Sequence, residues 1–117
     1  MATNRKFEHG NNLLLTCSDP ATPTSGAPVL IGQIPGVALA DEQADGLTSV
    51  QMDGVFALSV KGIDQVGNSA VAAGDLLYYV AADTPKISKK NTGVRFGYAL
   101  EPVASAATTT IQVKVGY

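Results

Sequence analysis

The sequence predicts an all-β fold: a compact small β-barrel or β-sandwich of short strands, with at most one short helical turn and an extended N-terminal arm. Three observations predict it. Several stretches alternate apolar and polar side chains, the pattern of a strand with one buried face. No stretch sustains the apolar period of an amphipathic helix. Twelve glycines and six prolines among 117 residues cut the chain into short pieces.

The first ten residues, MATNRKFEHG, are polar around a single aromatic ring, Phe7. They read as an arm, residues 1–10, ahead of one β domain, residues 11–117. In 12–17, Leu13, Leu15 and Cys17 share a face, and short strands are expected at 29–33, 37–40 and 47–52. In 54–61, Phe56, Leu58 and Val60 alternate with Val55, Ala57 and Ser59. The strand 76–80 carries Tyr78 and Tyr79, whose rings must point to opposite sides, one into the core and one partly exposed. In 93–101, Val94, Phe96, Tyr98 and Leu100 are expected to share a face opposite Arg95, Gly97 and Ala99. In 109–115, Ile111, Val113 and Val115 oppose Gln112 and Lys114.

Turn chemistry joins these pieces. Asp45-Gly46 and Asp53-Gly54 suit tight turns, because Gly accepts positive φ and Asp bonds its own backbone. Pro28 and Pro35 fit strand starts, where the missing N–H matters least. One helical turn is expected at 69–73, and loops at 19–27 and 104–108. Gly-Val recurs at Gly36, Gly54 and Gly93 with irregular spacing, which implies shared turn chemistry and not a repeat architecture.

Charged residues are only 15% of the chain, below the usual quarter, while 45% are hydrophobic. So few charges imply that much of the surface is covered in use, by copies of the chain or by a larger assembly. A net charge of -2 leaves no electrostatic footprint for nucleic acid. No apolar run approaches a membrane span, and Leu13-Leu14-Leu15 is too short for a signal peptide. Synthesis in the cytoplasm is therefore expected. The single Cys17 excludes an internal disulfide.

No constellation of catalytic residues emerges. The only histidine, His9, sits in the arm, so neither Cys17 nor a serine has an evident base. Cys17 reads as a small buried hydrophobe. Asp41, Glu42 and Asp45 lack the spacing of a Ca²⁺ loop and read as solvated turn carboxylates. No Gly-Lys pair exists to build a phosphate loop. Lys86, Lys89 and Lys90 flank Ile87 and read as charges that keep a strand edge from pairing with another chain. No cofactor, metal or catalytic residue is assigned.

The order of motifs resembles the small cement, or decoration, proteins of tailed-phage capsids. A polar arm is followed by a hydrophobic strand, Gly10 to Thr16, and then by Ser25-Gly26-Ala27-Pro28-Val29-Leu30-Ile31-Gly32. Gly36-Val37-Ala38, an acidic loop from Asp41 to Gly46, and Gly54-Val55-Phe56-Ala57-Leu58 come next. Ala73-Gly74-Asp75-Leu76-Leu77-Tyr78 and a terminal Val-Lys-Val strand complete the series. The resemblance implies a structural virion protein on the capsid exterior, binding the major capsid protein and itself, as a homotrimer, and stabilising the shell. It offers no catalytic residues to carry over, and with the charge and hydropathy above the expectation is no enzyme activity, no nucleic-acid partner and no membrane partner. Arg5, Lys6, Phe7 and Tyr79 are the residues expected to touch the capsid or a neighbouring subunit. The alternative from a different class is a β-domain binding module that recognises a glycan or protein on a host surface.

Overall fold

The alternating segments become nine strands in a computed structural model that describes residues 12–116: β1 (Asn12–Leu15), β2 (Pro28–Ile31), β3 (Ile34–Ala38), β4 (Thr48–Gln51), β5 (Gly54–Lys61), β6 (Leu76–Tyr79), β7 (Ile87–Ser88), β8 (Val94–Ala99) and β9 (Thr108–Val115). Strands β5-β7-β6-β8-β9 close into a barrel, and β1-β4-β3-β2 form a four-stranded sheet packed beside it.

The longest ladder joins β5 to β9, antiparallel, from Gly54 opposite Val115 to Lys61 opposite Thr108. Its register turns Leu58, Val60, Ile111, Val113 and Val115 inward, where they are buried together. That is the alternation expected from the sequence. Tyr79 and Phe96 fill the centre of the barrel, with ring centroids 6.1 Å apart.

The sheet has two buried faces. Leu30 and Val37 join the barrel core. Val29, Ala38 and Val50 form a separate small cluster, against which Cys17, Ile31 and Met52 pack. Pro35 lies inside β3 and not at its start, yet removes no ladder bond. It sits opposite Leu30, whose N–H donates to the Asp19 carbonyl and whose carbonyl accepts from the Ser18 N–H, both away from β3. The backbone of Pro35 therefore faces β4, which pairs with β3 only from Val37 onward.

Three further expectations are corrected. No helical turn forms at 69–73; the Asp75 carboxylate instead accepts the Ala72 N–H at 2.8 Å and closes a tight turn. The three Gly-Val positions do not share one chemistry. Only Gly54 has a positive φ, of 100°, whereas Gly36 lies within β3, where a Cβ would approach Val50 to 2.5 Å. In β8 the alternation breaks at Phe96. The register against β6 runs from Leu77–Gly97 to Tyr78–Arg95, so Phe96 is an extra, bulged residue. Beyond it Gly97 and Ala99 face inward, while Tyr98 and Leu100 turn outward.

Candidate docking surfaces

The sheet and barrel are pinned together by polar contacts at one point. Asp19, in the loop after β1, accepts hydrogen bonds from the Tyr79 hydroxyl and from Lys86 Nζ, the latter at 2.8 Å. Lys86 also lies 5.5 Å from the Tyr79 ring centre. The Lys86 ammonium and then the Tyr79 hydroxyl hold the Asp19 carboxyl below its ordinary range. Burial, followed by the neighbouring Asp19 carboxylate, pushes the Tyr79 phenol far above its ordinary value, so it stays a donor.

Beside this pin lies a groove of about 370 Å³. Strand β7 has only two residues and meets β5 at Val60 and Lys61 alone. From Gly54 to Ser59 that edge of β5 has no neighbouring strand among the described residues. The groove opens along the gap, between Ala57 and Ser59 of β5, Pro85 and Lys86 before β7, and Pro20 and Pro28 of the sheet side. Three prolines supply rigid walls without N–H donors.

The groove runs onto the outer face of the β5–β9 ladder. Ala57, Ser59, Thr110 and Gln112 are exposed there and uncharged. The Ser59 and Thr110 hydroxyls lie 3.5 Å apart. Lys61 and Lys114 bracket these rungs at opposite ends of the ladder. At the Lys114 end Val55 is 53% exposed, and Lys114 Nζ lies 5.9 Å from the Tyr98 ring centre. The nearby Glu101 carboxylate is occupied, accepting the Gln112 N–H at 2.7 Å.

The opposite character appears around β7. Lys86, Lys89 and Lys90 pair with Asp19, Asp75 and Asp83 at 2.8, 3.6 and 3.4 Å. These lysines were expected to guard a strand edge, but β7 lies between β5 and β6 and has no free edge. Their ammonium groups tie loops to the barrel instead.

Of the residues expected to make contacts, Arg5, Lys6 and Phe7 lie outside the described residues. Tyr79 is corrected: it is 1% exposed and belongs to the barrel core. Its inward position follows from alternation along β6, which leaves Tyr78 as the half-exposed ring. Cys17 is half-buried and not fully buried, because β1 ends at Leu15 and its neighbourhood is the rim of the small cluster. Burial raises its thiol pKa. In the acidic loop, Asp41 accepts the Ser25 N–H at 2.8 Å and so ties this loop to the one before β2, and Asp45 accepts the Leu47 N–H at 3.1 Å and closes a turn. Among the described residues no group of three His, Cys, Asp or Glu side chains converges to hold a metal.

The open β5 edge was not legible in the sequence, since it depends on how short β7 is. The uncharged outer rungs were legible, because the alternation of 54–61 and 109–115 assigns them to the outside.

Comparison with known proteins adds the identity. No curated protein and no solved structure matches the chain. The family model for phage cement proteins matches residues 7–115, nearly the whole length, including every strand of the sheet and barrel. The chain therefore belongs to the phage cement protein family, structural proteins that bind the phage capsid.

Proposed function

We propose that this cement protein docks on the outer surface of the capsid through the uncharged β5–β9 face and its adjoining groove, and that docking stabilises the shell. The observation that carries this reading is the contrast between surfaces. The charged side chains around β7 are consumed in ion pairs, whereas Ala57, Ser59, Thr110 and Gln112 offer an exposed, uncharged surface that costs less to desolvate than charged groups would. The bound form is a homotrimer on the virion exterior, in which weak contacts of each copy add at high effective concentration. The arm supplements the face: Phe7 fills an apolar pocket on the shell or on a neighbouring copy, and Arg5 and Lys6 pair with acidic groups around it. Burying such a ring contributes roughly 1.5–3 kcal/mol before the cost of ordering the arm.

The experiment adds purified protein to capsids lacking it, then heats the particles. Stoichiometric, saturable addition and a higher disruption temperature are expected. Removing residues 2–9 should lower occupancy sharply while the melting temperature of the free chain hardly changes. Addition without any gain in heat resistance contradicts the stabilising role, and full occupancy by the truncated chain contradicts the role of the arm.

A further inference from the structure

A second depression, of about 310 Å³, lies outside β6, away from the pin and the proline-walled groove. Its apolar wall is Leu76 and the half-exposed ring of Tyr78, two residues apart on the outward side of β6. Polar groups make up most of the exposed lining. Asp64 spends Oδ1 on the Val66 and Gly67 N–H groups, at 2.9 and 3.0 Å, which fixes its loop. Asp75 engages Ala72 N–H and Lys89 through Oδ2, leaving Oδ1 without a protein donor among the described residues. The carboxamides of Gln65 and Asn91 are exposed and take no protein partner among the described residues.

We propose that this depression is a carbohydrate-binding site taking a neutral pyranose unit of a glycan. A pyranose has one face of C–H bonds and a rim of hydroxyls. The C–H face stacks on an aromatic ring that keeps an apolar body beside a polar tip, as Tyr78 does. The rim needs neighbouring acceptors and two-way amides, which Asp75, Gln65 and Asn91 supply. The volume falls at the lower end of small-ligand sites, about 300 Å³. The charges argue against ions: an anion would meet two carboxylates, and a metal cation would meet the Lys89 ammonium already paired with Asp75. The inference rests on this depression alone and holds or falls independently of the capsid-docking face. On a shell bearing many copies, millimolar single-site affinity would be multiplied by avidity.

The test is a two-dimensional NMR titration of the full chain with the methyl glycosides of glucose, galactose, mannose, rhamnose and N-acetylglucosamine. At least one should give saturable shifts confined to the amides of 64–67, 75–78 and 89–91. Tyr78→Ala should weaken that binding by roughly tenfold or more, and Tyr78→Phe should retain it. Should Tyr78→Ala not fold, the exposed pair Gln65→Ala and Asn91→Ala gives the same reading, with a roughly tenfold loss expected. The proposal is overturned if no glycoside gives saturable shifts, if the shifts fall elsewhere, or if these variants bind as the parent does.

Discussion

Asp19 ties the two halves of the molecule together, and its chemistry makes the tie sensitive to acid. Its carboxyl is held below the ordinary range by Lys86 and then by Tyr79, so its folded pKa lies below the unfolded value of about 3.9. The contribution is therefore complete above the unfolded value and is lost as pH falls through the folded one. Asp64 is also held low, by the Val66 and Gly67 N–H groups, and contributes to acid sensitivity in the same sense. Comparing the parent with Asp19→Asn isolates the pin, since both keep Asp64. Thermal melts should show the parent ahead at about pH 6, with the gap closing towards about pH 2. A gap that does not change with pH contradicts the pin. Asp19→Ala should cost about 1–3 kcal/mol at neutral pH, because it leaves the buried Tyr79 hydroxyl without its acceptor. None of these partners could be paired from the sequence, which separates Asp19 from Tyr79 by 60 residues. What the sequence did carry was the rule that one ring of the Tyr78-Tyr79 pair must be buried; which one depended on the direction β6 faces.

At the scale of the strand, period-two alternation was a reliable guide wherever a ladder runs unbroken. β5 and β9 point the side chains inward and outward as their residues imply. β8 departs because the Phe96 bulge adds one residue against β6, which reverses every side chain beyond it. Packing makes that reversal possible: a Cβ at position 97 would lie 2.1 Å from the Lys114 carbonyl oxygen, so only glycine lets β8 and β9 approach there. The reversal places Tyr98 beside Lys114 on the outer face. That face provides a direct test of docking. Ala57→Arg introduces a long cation at an exposed rung and should change folding stability by no more than about 0.5 kcal/mol. Its occupancy on capsids, compared by gel densitometry of purified particles, should fall several-fold. Val66→Arg, at a position that is 89% exposed in the loop after β5 and outside the β5–β9 ladder, should decorate normally. Equal occupancy for both variants would place the contact elsewhere.

For the whole molecule, the low charge content and the family agree on a protein whose surface is completed by an assembly. The structure adds where the charge has gone: three lysines are tied to aspartates around β7, leaving the β5–β9 face uncharged between its bracketing lysines. Self-association should therefore be measurable without the capsid. Light scattering at micromolar concentration and physiological salt should give a mass above that of the 12.0 kDa chain, with three copies the expected state. A strict monomer both in solution and on the shell would contradict the trimer. The central claim is that the uncharged barrel face meets the shell. A density map of capsids decorated with this protein tests it most directly. The account predicts that Ala57, Ser59, Thr110 and Gln112 lie against the shell, with the Lys89–Asp75 and Lys90–Asp83 pairs turned towards solvent. A map in which these four residues face solvent on a fully decorated capsid would contradict it.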